Sequence, residues 1–86
     1  MENVFNEYGY EVLPCDSPLV KVKKYDEENV ADIIIIFNKE TKTIGGGLIT
    51  VKAIQTLNDI SHQYKVFREF QRDIKEFAKR TGYDII

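Results

Sequence analysis

The chain of 86 residues has one cysteine, two prolines, one histidine and no tryptophan. A lone cysteine, Cys15, excludes an internal disulfide. Small exported domains usually carry several disulfides to support a small core, so the expected setting is a reducing cytoplasm. His62, the sole histidine, has no cysteine close in sequence to complete a zinc site, and no metal or cofactor is expected. The start, Met1-Glu2-Asn3, lacks the basic residue and apolar run of a signal peptide. The longest apolar run, Ile33 to Phe37, falls far short of the ~20 residues of a membrane span, so no membrane partner is expected. Charge of one sign is missing as well. Twelve basic residues stand against fourteen acidic ones for a net charge of -2, which argues against nucleic-acid binding through overall charge.

What remains is the composition of one folded domain over 1–86, since so short a chain has no material for a second core. Residues 1–9 are polar with scattered aromatics and read as a loosely ordered arm. The segment 10–47 reads as an antiparallel sheet. Tyr10 to Leu13 suits a short strand closed by Pro14, and Pro14 to Pro18 has turn chemistry. Leu19 to Tyr25 alternates, with Leu19, Lys21 and Lys23 on one face and Val20, Val22 and Lys24 on the other. Ala31 to Phe37 carries four consecutive isoleucines, which predicts a central strand covered on both sides. Asn38 to Thr41 is a hairpin connection, and the strand returning from Lys42 is expected to end at Gly45-Gly46-Gly47.

From Thr50 the period changes to that of a helix, over 50–81. Thr50 suits an N-cap and Gly82 a C-terminal cap, with no proline or glycine between. The apolar stripe drifts: Ile54 and Leu57 point one way, Ile60 and Tyr64 further round, and Phe67, Phe70, Ile74 and Phe77 further still. The drift is roughly 140° over residues 54 to 72, more than supercoiling absorbs. Asn58-Asp59-Ile60-Ser61 is rich in residues that favour caps, and a break is expected there. Either a short helix precedes a long one, or a single kinked helix has two differently directed faces. Residues 82–86 form a tail or an edge strand. The predicted fold is therefore α+β: a three- or four-stranded antiparallel meander followed by a long amphipathic C-terminal helix, kinked or in two parts.

No catalytic constellation is apparent. His62 falls on a helical wheel among Glu69, Asp73 and Arg80, a position expected to be solvated. Cys15 has no base nearby in sequence, and Ser17 and Ser61 lack a nucleophile elbow. Asp26-Glu27-Glu28 lacks the glycine and terminal glutamate of a calcium loop. The glycine run lacks the Gly-Lys-Ser/Thr of a phosphate-binding loop, so it serves either backbone geometry or an anion.

Two surfaces stand out. Lys65, Arg68, Arg72, Lys75 and Lys79 recur at spacings of three and four, a basic row suited to an anionic partner or to a solvated helix face. Ile54, Leu57, Ile60 and Tyr64 are apolar helix surface beyond what a small sheet can cover, a candidate protein interface. The expected function is a small non-catalytic protein-binding module: a regulator, inhibitor or accessory factor of the kind mobile elements and phages encode, and a homodimer. The alternative is a nucleic-acid-binding regulator that uses the basic row.

Overall fold

The computed structural model describes residues 2–86, with side chains from residue 4 onward. Helix α1 (Glu2–Glu7) leads into strands β1 (Glu11–Leu13), β2 (Leu19–Lys24), β3 (Ala31–Asn38) and β4 (Thr43–Thr50). Helix α2 (Leu57–Thr81) and strand β5 (Asp84–Ile85) follow. The five strands form one sheet in the order β1-β2-β3-β4-β5. The first four pair antiparallel, and β5 runs parallel to β4. The expected meander is present with one strand more, because the C-terminal residues do add an edge.

The core lies between one sheet face and α2. Val22, Ile33, Ile35, Phe37 and Ile44 from the sheet meet Val66, Ile74 and Phe77 from the helix, with Phe5 and Tyr10 at the side. The Phe77 ring sits 5.3 Å from Phe5, 5.3 Å from Tyr10, 5.4 Å from Tyr8 and 5.9 Å from Phe37, mostly edge-to-face. Such pairs add about 0.5–1.5 kcal/mol each beyond the area they bury. The loose arm expected over 1–9 is therefore corrected for Glu2 onward: Phe5 is buried, and Arg80 reaches Glu7 at 3.5 Å.

Among the described residues no helix packs over the second sheet face. Strand alternation puts Ile34 and Ile36 there, and Ile36 is 36% exposed. The isoleucine run thus marks a central strand, as expected, but one covered on a single side. β-branched residues fit a pleated sheet whichever face they occupy, so they do not report a second layer.

The glycine run does not end a strand. Gly45, Gly46 and Gly47 pair with Ile36, Ile35 and Ile34 in the middle of β4. A Cβ at Gly46 would stand 2.1 Å from the Ile34 carbonyl oxygen, so close backbone approach is what requires glycine there. With these amides inside the sheet, the run makes no anion-binding loop at a helix start.

Helix α2 starts seven residues later than Thr50. Thr50 is the last residue of β4, and Thr56 is the N-cap, its Oγ1 accepting from the Asp59 N–H at 3.1 Å. The Asp59 carboxylate accepts from the Gln55 N–H at 3.1 Å. Asn58 to Ser61 are thus the first turn of one uninterrupted helix rather than a break, and their capping preference marks a start. Gly82 closes the helix at φ 76°, its N–H bonded to the Ala78 carbonyl at 2.8 Å.

Candidate functional site

Helix α2 has 25 residues, about 37 Å of helix, against eight-residue strands of about 26 Å. Its C-terminal half supplies most of the buried helix residues, and its N-terminal half, held by Val66 and His62, turns a second apolar face outward. There Leu57, Ile60, Tyr64 and Phe67 are 81%, 39%, 62% and 42% exposed. Their spacing of three, four and three puts them on one stripe, roughly 110° round from the buried face. This explains the drifting apolar pattern: one continuous helix uses two faces. Ile60, Tyr64 and Phe67 join Leu48 and Gln63 around a shallow depression of about 290 Å³. Ile54 is half-buried in the 51–56 connection and does not join the stripe. Phe67 does, and it was read from the sequence as part of the core stripe.

The basic row lies on the solvent face of α2. Lys65, Arg68, Lys75 and Lys79 are exposed, and none forms an ion pair among the described residues. Arg72, in the middle, is turned sideways: its Nε and Nη2 donate to Asp73 Oδ1 at 3.0 and 2.9 Å. The hydrogen bonds to Asp73, with its charge, hold the Arg72 guanidinium above its ordinary range.

Asp73 is fully buried, although the side of the helix it shares with His62, Glu69 and Arg80 was expected to be solvated. Its Oδ2 accepts from the Tyr10 hydroxyl at 2.8 Å and lies 3.6 Å from Lys24 Nζ. Lys24 also pairs with Glu69. Burial, and then the bond to Asp73, push the Tyr10 phenol well above its usual range.

His62 is not solvated either. Its Nε2 lies 2.7 Å from Asp26 Oδ1 and its Nδ1 3.1 Å from Glu28 Oε2, tying the β2–β3 loop to α2. Burial raises the Asp26 carboxyl, but bonds from His62 and from the N–H groups of Val30, Ala31 and Glu28 outweigh it, leaving its pKa lowered. His62, Asp26, Glu28, Lys24, Lys65 and Glu69 line a cavity of about 310 Å³. Apart from Lys65, these charged groups pair with one another or with nearby backbone. Among the described residues no group of three or more His, Cys, Asp or Glu side chains is placed to hold a metal ion. No described helix is long and apolar enough to cross a membrane. Cys15 is exposed.

The wheel did place His62, Glu69 and Asp73 together. What it missed is that their side borders the core. The available signal was their position next to Val66 and Phe77, where a polar group meets the sheet's rim. No family model, curated protein or solved structure matches this chain.

Proposed function

We propose that this chain is a non-catalytic protein-binding module whose α2 stripe docks an amphipathic helix of another protein. The observation that carries the reading is the row Leu57, Ile60, Tyr64 and Phe67, four large apolar side chains at coiled-coil spacing, each at least 39% exposed. The 3-4-3 spacing is that of the seam along which two helices pack, and the depression beside Leu48 suits one knob of a partner helix. Scattered surface apolar residues do not line up over three turns, and this line does so on a helix face that the sheet leaves exposed. A nucleic-acid reading of the basic row is less well supported, because Arg72 at its centre is drawn onto Asp73.

A photo-crosslinking amino acid at position 64 tests the proposal in living cells, with position 68 on the basic row as control. The expected result is a discrete adduct from position 64 that is lost on Leu57→Asp, its crosslinked peptide mapping to a helix with apolar residues three and four apart. Adducts of equal yield from both positions, or none above background at 64, would overturn it.

A further inference from the structure

The exposed stripe of α2 has two unlike flanks. On the sheet side it borders Leu48 and Gln63, which carry no charge. On the other side it borders cations. At about 100° per residue, Lys75, Arg68 and Lys79 point roughly 20°, 40° and 60° away from Tyr64, and all three are exposed. A solvated helix face ordinarily sets acids three and four positions from its bases. Here the neighbours at those spacings are bases: Arg68 has Lys65 and Arg72, and Lys75 has Arg72 and Lys79. Like charges so placed destabilise a helix. The acids of α2 lie further round and are engaged there. Glu69 pairs with Lys24, Asp73 is buried against Tyr10 and Arg72, and Glu76 lies 3.9 Å from Arg80. The flank is thus a run of uncompensated positive charge in a chain whose net charge is -2.

We infer that the partner docked on α2 is an acidic amphipathic helix. Its apolar residues, three and four apart, seat on Leu57, Ile60, Tyr64 and Phe67, and carboxylates along one of its edges meet Arg68, Lys75 and Lys79. The inference rests on the helix-docking reading and specifies the chemistry of that partner. Charges beside an apolar helix seam set partner choice and orientation. Beyond Phe67 the direction of the stripe carries Gln71 and then Lys75, so the surface passes from apolar to cationic along its length. From Leu57 to Lys79 it covers about 33 Å, which a partner helix of about six turns spans.

A second copy of this chain is the poorer occupant. An antiparallel two-fold pairing of α2 sets the basic flank against itself, and a parallel pairing sets it against Gln63 and Phe70, which have no charge to answer it. Nucleic acid answers the cations but leaves the apolar stripe without a counterpart, and Glu69 and Glu76 stand within about a Debye length to repel its phosphates.

A displayed library of helices about 20 residues long tests the inference when selected against the full chain. Apolar residues are fixed at spacings of three and four, and both flanks are coded equally for Glu, Gln and Lys. The expected result is enrichment of Glu on one flank alone. The selected helices are expected to lose about tenfold in affinity for the double variant Arg68→Glu with Lys75→Glu, as two exposed ion pairs become repulsions. Selection on that variant, whose circular dichroism spectrum stays unchanged, returns Lys at the same positions. As the rim of the contact, position 68 gives a weaker photo-crosslink than position 64. Helices that bind and are lost on Leu57→Asp, but with no preference for Glu, overturn the inference and leave helix docking standing. Helices indifferent to Leu57→Asp, or a library that yields no binder, overturn both. Self-association of the chain that Leu57→Asp abolishes makes a second copy the occupant and overturns the inference. So does binding of a DNA duplex or phosphatidylserine vesicles that needs Arg68 and Lys75 and survives Leu57→Asp.

Discussion

Replacing Tyr10 by phenylalanine removes one oxygen from the core and leaves the ring packed on Phe77, which isolates the hydrogen bond to Asp73. That bond is 2.8 Å long and reaches a carboxylate that is 0% exposed. Hydrogen bonds to charged groups contribute about 1.5–3 kcal/mol. Asp73 Oδ2 keeps Lys24 Nζ at 3.6 Å and Oδ1 keeps Arg72, so the carboxylate is not orphaned. The loss is therefore expected near the lower end, about 1.5–2 kcal/mol. In urea, with a slope near 1 kcal/mol per molar for so small a domain, the midpoint falls by about 1.5–2 M. Circular dichroism suits the assay, since the chain has no tryptophan. Alkaline pH supplies a second readout. Tyr10 has its pKa raised in the folded protein by burial and by Asp73, so the stability it contributes is complete below the unfolded phenol pKa and is lost as pH rises above it. The unfolded chain ionises near pH 10, and above that the wild type loses about 1.4 kcal/mol per pH unit through this group. The variant has no such group at position 10, so the gap between the two proteins closes as pH rises. An unchanged midpoint at neutral pH, or stability curves that stay parallel into the alkaline range, would refute the reasoning.

At Gly46, alanine drives a Cβ against the Ile34 carbonyl oxygen at 2.1 Å and the Ile35 Cα at 3.0 Å. Thermal unfolding should show a loss at or above the top of the ~1–3 kcal/mol overpacking range, whereas Gly47→Ala stays within about 0.5 kcal/mol. Equal melting temperatures for the two would contradict the close strand approach. Asp26 has a lowered pKa in the folded protein because His62 and the loop amides outweigh burial. Its stabilising contribution is thus present above the ordinary carboxylate range and is lost as pH falls through the lowered value. Asp26→Asn is expected to be less stable than wild type at neutral pH, with the difference shrinking as acid protonates the carboxylate; a difference that does not change with pH below the ordinary carboxylate range would rule out the linkage.

Local patterns were legible in the chain, and layering was not. The two-residue alternation of Leu19 to Lys24 assigned every β2 side chain to its face, and Gly82 marked the helix end. Thr50 and Thr56 are chemically the same N-cap, however, and only the pairing of Ala31 with Thr50 shows that the strand continues through the glycines. The isoleucines of β3 read as buried on both faces because β-propensity and burial favour the same residues. The helix stripe was legible in part: Leu57, Ile60 and Tyr64 were identified from the drift of the apolar face, and Phe67 was absorbed into the core pattern. His62 and Asp73 were misread as solvated for a different reason. A polar residue at the border of a helix's buried face is exposed or not according to what the facing strand and loop supply, here Tyr10, Lys24 and Asp26, which lie 36 or more positions away in sequence.

The ring of Phe77 bears on how the chain comes to be folded as well as on how it stays folded. It is the shared contact of Phe5, Tyr8, Tyr10 and Phe37, yet it follows all of them and all four antiparallel strands in the chain. A chain growing from its N-terminus completes β1 to β4 from neighbouring hairpins while the helix-facing side of that sheet is still bare. The helix residues that cover it, Val66, Ile74 and Phe77, follow only after all four strands. Until then the nascent sheet exposes apolar surface on both of its faces, and only the arrival of α2 makes one of them permanently dry.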